Sequence, residues 1–318
     1  MSSSQYIRLT EAAISAVRAS HLPLYSCKYS KKTYTQHQLL VLLLLKEQLG
    51  QDYRGFTDLV EVMDSIRHLL HLETIPHFTT LHKFLQRLSS LWLTRIQKRL
   101  VASLYPWGAV IPITAIDASG FTSAYASSYY SLRTGKTHRR FLKVSLAVDT
   151  TTQVILAATM TQHPIADVRM ARSLLKESHR TRQAACYVLD KGYDAESIHR
   201  QIREEIHAIS LIPVRTRKRK RIHGRYRREL ASTFDEKTYH RRNLVETVFS
   251  VLKRTLGESL RSRKYRLQAK EIKIKIILYN LKRTLASHSI QILVIISTER
   301  LPRTVEILRD IAHLDHAS

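Results

Sequence analysis

Ile111-Pro-Ile-Thr-Ala-Ile-Asp-Ala-Ser119 is short and rich in β-branched residues, with one acid, Asp117, close to its end. It predicts a strand. Phe141-Leu-Lys-Val-Ser-Leu-Ala-Val148 alternates with the period of a second strand, and beyond a turn at Asp149 to Gln153 comes a third, Val154-Ile-Leu-Ala-Ala-Thr-Met160. A helix capped by Asp167 is expected to about Glu177, followed by the strand Ala185-Cys-Tyr-Val-Leu-Asp190. A second helix near Ala195 to Glu205 and a fifth strand, Ile209-Ser-Leu-Ile-Pro-Val214, complete the order βββαβαβ. The class is α/β.

On the N-terminal side, the residues from Thr35 to Leu100 repeat apolar positions at helical spacing, among them Leu39, Leu42, Leu43, Phe56, Leu59, Val60, Met63 and Ile66. This stretch reads as all-helical. Its last part, Ile75 to Leu88, offers Thr79 or Thr80 as a cap and buries Leu81, Phe84, Leu85 and Leu88, leaving His82, Lys83, Gln86 and Arg87 on the open face. Such a face suits a helix that reads the major groove, with Lys83 and Arg87 as DNA contacts, although most helices with such a face are plain bundle helices. The pattern changes near Pro106-Trp-Gly108, where Trp107 is expected to pack at the junction. The divisions are 1–108, 109–287, and a tail, 288–318, that fits neither periodic pattern.

On the C-terminal side, Arg215 to Arg228 has no apolar period and is dominated by cations, so it reads as a loop. Arg217, Lys218, Arg219, Lys220 and Arg221 are its densest part, a candidate for phosphate contact or a merely solvated charge run. Long helices follow from about Tyr239 to Leu256 and Lys270 to Ala286.

The 318 residues carry 52 Lys plus Arg against 26 Asp plus Glu, a formal charge of +26. A chain so basic holds to polyanions, which points first to nucleic acid. With 44% hydrophobic residues it can bury a core, and 8 Gly and 7 Pro exclude collagen-like and low-complexity classes. Cys27 and Cys186 cannot build a disulfide framework, so the chain reads as intracellular. The run Leu39 to Leu45 falls well short of the roughly 20 residues that span a bilayer, and no membrane partner is expected.

Three carboxylates stand out by position. Asp117 and Asp190 end strands expected to lie side by side, and Glu246 sits in a helix that could cross the sheet. Converging carboxylates suit Mg²⁺ and phosphoryl transfer, while capping or ion pairing would explain each acid singly. Tyr239, Arg242, Glu246 and Lys253 fall within a helical band about 60° wide, opposite Leu244, Val245, Val248, Phe249, Val251 and Leu252. A metal-binding carboxylate flanked by two cations and an aromatic ring is a set that a phosphodiester would use.

At these residues the chain resembles the insertion-sequence transposases of the Asp-Asp-Glu type. Tyr239-x2-Arg242-x3-Glu246-x6-Lys253 is similar to their Tyr-Arg-Glu-Lys signature, Val188-Leu-Asp-Lys-Gly-Tyr-Asp194 to their second-aspartate motif, and Ala115-Ile-Asp-Ala-Ser119 to the first. The resemblance covers about residues 35 to 287. It implies a ribonuclease-H-like catalytic domain, βββαβαβα, preceded by an all-helical N-terminal region. In that domain Asp117, Asp190 and Glu246 are the catalytic acids and hold two Mg²⁺ ions, for which Mn²⁺ could substitute. Asp117 would bridge both ions. The implied chemistry is cleavage at a transposon end to free a 3′-hydroxyl, which then attacks target DNA. Tyr239, Arg242 and Lys253 would hold the double-stranded DNA near the cut. A homodimer on DNA, in the prokaryotic cytoplasm with the nucleoid, is also implied. The short span from Asp190 to Glu246 leaves little room for the large β insertion of some relatives, which leaves the second-strand cleavage route open.

Competing chemistries lack support. No Gly-x-Ser-x-Gly elbow accompanies Ser119 or Ser123, no His-Glu-x-x-His pair occurs, and Gly120, Gly135 and Gly192 do not form a nucleotide-phosphate loop, so no nucleotide cofactor is expected. A ribonuclease-H-fold nuclease that cuts without joining, and a catalytically inactive DNA-binding regulator, remain the alternatives.

Overall fold

The apolar segments pair into one mixed sheet. Strands β1 (Ile111–Ser123), β2 (Phe141–Asp149), β3 (Ile155–Thr161), β4 (Ala184–Leu189) and β5 (Ile209–Leu211) lie in the order β3-β2-β1-β4-β5, and a short β6 (Ser259–Leu260) also joins β1. The structure is a computed structural model that describes residues 4–123, 133, 141–163, 165–215 and 221–299, with side chains to residue 286. β2 is antiparallel to β1 and β3, whereas β4 and β6 run parallel to β1, and β5 parallel to β4. The expected sequence of elements is found, with β1 running on past Ser119 to Ser123. β5 stops at Leu211 instead of reaching Val214, since Pro213 has no N–H for the ladder.

Both faces of the sheet are covered, and the alternation along each strand decides what meets what. On one side α7 (Asp167–Thr181) and α8 (Glu196–Arg200) set Ala171, Leu174, Leu175 and Ile198 against Ile116, Tyr187 and Leu189. Ala166, not Asp167, is the N-cap of α7; Asp167 lies in its first turn, where the helix dipole favours an acid. On the other side α11 (Asn243–Leu256) and α12 (Tyr265–Glu299) pack on Ala115, Phe121, Val144 and Leu146 through Val245, Val248, Phe249, Ile276 and Ile277.

The N-terminal helices share that second core. They are α1 (Gln5–Ala19), α2 (Gln36–Gln48), α3 (Tyr53–Glu61), α4 (Asp64–Leu69), α5 (Phe78–Arg87) and α6 (Ser90–Leu104). Leu40, Leu42 and Leu44 of α2 and Leu93 and Ile96 of α6 join it, with α12 through the middle. A helix buried on nearly every side must satisfy its polar groups internally. Asn280 does so against β3, accepting from Ile155 N–H at 3.0 Å and donating to Ile155 C=O at 2.9 Å. Lys270 Nζ donates to the carbonyls of Leu85 and Gln86 at 2.7 and 2.9 Å, at the negative end of α5. Lys275, almost fully buried, pairs with Glu47 at 2.5 Å. α12 starts earlier than expected, and its backbone stays helical through Glu299, into the stretch that had no periodic reading.

Several other expectations are corrected. α5 is capped by His77, whose Nδ1 accepts from the Thr79 N–H, rather than by Thr79 or Thr80. Trp107 is fully exposed instead of packing at the junction. Part of the expected basic loop is helical, because α9 (Arg225–Thr233) begins within it. The helix expected from Tyr239 is in three pieces: α10 (Glu236–Tyr239), a 3₁₀ turn (His240–Arg242) and α11. Among the described residues no helix is long and apolar enough to cross a membrane.

Candidate active site

The site begins as a notch in the edge of β1. β4 accompanies that edge only as far as the pair Ile116↔Leu189, and β6 takes it up again at Thr122↔Ser259. Between them lie Asp117 to Phe121. One step beyond the last β4 pair, Asp117 and Asp190 fall side by side, on the same face as Ala115 and Val188. Asp190 leaves the strand there and caps a 3₁₀ turn, its Oδ2 at 3.5 Å from the Gly192 N–H.

α11 crosses this face with Val245, Val248, Phe249 and Leu252 inward, which turns Glu246 to the rim. Arg242, one turn before Glu246, joins the two elements. Its Nη1 donates to Asp117 Oδ2 at 3.0 Å and its Nη2 to Glu246 Oε1 at 2.7 Å. The side chains of Asp117 and Arg242 are only 21% and 16% exposed, whereas Glu246 is 55% exposed, so the first of these bonds is the better shielded. Asp117 Oδ1 accepts from the Ala118 N–H at 2.7 Å.

Burial pushes the Asp117 carboxyl above the ordinary aspartate range. The Ala118 N–H and Arg242 oppose that shift, while the negative charges of Asp190 and Glu246 add to it. The site thus carries more negative charge than its own cation offsets. All its donors are oxygens, the chemistry that suits a hard divalent ion. Among the described residues no three such groups close on one point. The Arg242 guanidinium stands between two of them.

Tyr239 packs beside Phe234, ring centres 5.2 Å apart, and lies beneath the Arg242 guanidinium at 6.0 Å. Burial raises its phenol pKa, and the charges of Asp190 and Asp117 raise it further against the pull of Arg242. Lys253 lies further along α11, bonded to Glu258 at 2.9 Å and over the Phe121 ring at 5.4 Å. Lys83 and Arg87 are exposed on α5, whose buried side is the expected Leu81, Phe84 and Leu85. Arg221 is exposed; Arg217, Lys218, Arg219 and Lys220 lie outside the described residues.

Two further acids belong to this neighbourhood. The Asp167 carboxylate meets Lys143 Nζ at 2.5 Å and flanks Gly192 together with Asp190: a Cβ on Gly192 would sit 3.4 Å from Asp167 Oδ2 and 3.7 Å from Asp190 Oδ2. Helix-start position suggests only a capping role for Asp167, and nothing in the sequence announces the pairing. Asp194 closes the second-aspartate motif and is held by Arg227 and Arg215. Its place in the motif was visible, but its partners come from distant sequence.

The family model for the transposase DDE domain matches residues 108–281, from the start of β1 into α12. No curated protein matches the chain. The matched span takes in the whole sheet, both strand-end aspartates and the helix that carries Glu246, and it exceeds half of the sequence. The chain belongs to the transposase DDE domain family.

Proposed function

We propose that the protein is a DNA transposase of the insertion-sequence type, which cleaves element ends and joins the freed 3′-hydroxyl to target DNA in a ribonuclease-H-like domain. The observation that carries this reading is the register that sets Asp117 beside Asp190, with Glu246 tied to the pair through Arg242. Asp117, Asp190 and Glu246 are the residues that would hold divalent ions, with Mg²⁺ favoured by an oxygen-only donor set. Two such ions would supply charge neutralisation and nucleophile activation for an in-line phosphoryl displacement.

The chain's own residues prepare the rest. Arg242 presents a guanidinium at the mouth of the acidic pair, suited to a bidentate hold on a phosphate. Tyr239 offers a ring and a hydroxyl beside it, and Lys253 extends the positive stripe along α11. β1 and β4 fix the two aspartates on rigid backbone, so little reorganisation is needed when a phosphodiester arrives. Glu246 sits at the rim on the more open side, reached by solvent and substrate.

The test is strand transfer by the purified protein on duplexes carrying the DNA that flanks its gene, with supercoiled target and Mg²⁺ or Mn²⁺. Glu246→Gln is expected to abolish cutting and joining while DNA affinity stays within about threefold, because the exposed carboxylate makes no packing contribution. Cutting without joining would move the protein to the nucleases. Binding with no cutting by the unaltered chain would make it a regulator.

A further inference from the structure

Asp194 is a buried carboxylate, 1% exposed, that takes no part in the cluster of Asp117, Asp190 and Glu246. Its Oδ2 accepts the Arg215 N–H at 2.7 Å and Arg227 Nη2 at 2.7 Å, and its Oδ1 accepts Arg227 Nε at 2.8 Å. Arg215 also reaches the carbonyl of Lys191, the residue after Asp190, at 3.5 Å. One acid therefore ties both ends of a cationic stretch to the turn that bears Asp190.

Neighbouring acids extend the tie. Glu196 accepts the N–H groups of Tyr226 and Arg227 at 3.1 and 3.3 Å, satisfying the first turn of α9. Tyr226 Oη donates to Glu204 at 2.9 Å, and Arg203 pairs with Glu229 at 2.6 Å. Every carboxylate in this set is used to dock α9 on α8 and the turn that follows it. The cations Arg215, Arg221, Arg225 and Arg228 are left on the exposed side.

We infer that Arg215, Arg221 and α9 form a phosphate-binding arm for duplex DNA, and that Asp194 is the positioning residue that fixes this arm against the Asp190 turn. This rests on the DNA-cleaving reading above. Duplex DNA presents a phosphate charge about every 1.7 Å of its axis, so a backbone lying at Asp190 continues past any surface a few residues away. Exposed arginines anchored at that turn would meet the continuing strand. Bidentate Arg227 to Asp194 sets the arm's angle, and arginine's planar fork makes that angle specific.

The test is equilibrium binding of a labelled mixed-sequence duplex by the full chain across a salt series, with thermal unfolding of every variant as a check on folding. Asp194→Asn adds one positive charge, so overall electrostatics alone would tighten binding. Positioning demands the opposite: binding threefold or more weaker and a flatter salt dependence. Arg225→Gln with Arg228→Gln should flatten the log–log slope by about 1.8, at about 0.9 per lost phosphate contact. The triple variant should lose less than the sum of the two separate losses, since only Arg215 and Arg221 remain to be misplaced. Unchanged or tighter binding by folded Asp194→Asn overturns the inference, as does additivity in the triple variant or a wild-type chain that binds no duplex. Should Asp194→Asn fail to fold, Arg227→Lys, with net charge unchanged and the bidentate bond lost, is expected to weaken binding likewise; wild-type binding there overturns the inference. A chain that shows these binding effects but never cleaves would retain the arm and lose the transposase reading.

Discussion

Arg242→Gln separates the charge balance of the site from its fold. Arg242 gives one shielded charge-assisted bond to Asp117 and one exposed bond to Glu246. The first is worth about 1.5–3 kcal/mol and the second no more than about 1 kcal/mol, so without divalent ions the variant should be less stable by about 2–3 kcal/mol. For a chain of this size that is a fall in unfolding midpoint of about 5 °C in EDTA. Divalent ions should narrow the gap. In the wild type, drawing Asp117 and Glu246 onto an ion means first breaking their bonds to Arg242, a cost the variant does not carry. A cost of about 1.4 kcal/mol would make the variant bind Mg²⁺ about tenfold tighter, and its midpoint should rise further with added Mg²⁺ than the wild type's. The assay is thermal unfolding in EDTA and across a MgCl₂ titration, with Asp117→Asn/Arg242→Gln as the ion-blind control. Equal midpoints in EDTA, or an equal Mg²⁺ response in both proteins, would refute the claim that Arg242 neutralises the acids in the ion's stead.

Other outcomes follow from single contacts. Asp194 is buried, which alone would raise its carboxyl pKa, yet the nearby His199 ring at 3.7 Å and hydrogen bonds from Arg227 and the Arg215 N–H hold it well below the usual aspartate range. A depressed acid stabilises the fold above its unfolded pKa, so the stability gap between wild type and Asp194→Asn should be full above about pH 5 and shrink as pH falls below the usual aspartate range; a gap that widens in acid contradicts this. Lys275→Met removes the nearer of the two buried cations on Glu47, with Lys46 remaining at 3.7 Å, and should cost about 1.5–3 kcal/mol in urea unfolding. A loss below about 1 kcal/mol would mean that the pair is not shielded. Gly224→Ala forces a side chain onto φ +100° and drives its Cβ into the Glu196 carboxylate, so it should destabilise by about 2 kcal/mol and weaken duplex binding together; a change in one without the other would uncouple the cap from the arm.

The legible parts of this fold are those whose signal is local. Phe141 to Val148 alternates because one strand has two differently packed faces, and Leu81, Phe84 and Leu85 repeat because one helix has one buried side. The order of strands and helices in the half matched by the family could be read from such periods. What escaped depends on partners far along the chain. α9 begins among Arg225, Tyr226 and Arg227 because Glu196 caps its first turn, and no residue within the segment advertises that acid. β6 is too short for any alternation; it exists because β1 outruns β4 and leaves an edge to pair. Trp107 shows the converse error, since large apolar surface predicts burial only where a neighbour is available to provide it.

The site divides along the same line. Asp117 and Asp190 could be paired in advance because strand ends and parallel order are enough to set two residues level. Glu246 could be added because helical spacing placed it opposite the residues that pack on the sheet. The spacing that groups Arg242 with Glu246 does not say which of them faces the strand, and the structure gives that inner place to Arg242. A cation there explains how three acids can be tolerated together before any ion or phosphate is present. In the proposed reading it would also link two events: a phosphate that drew the guanidinium outward would free the carboxylates for divalent ions. Arg242 would then couple substrate arrival to assembly of the acidic centre, a role that a simple list of DNA contacts does not convey.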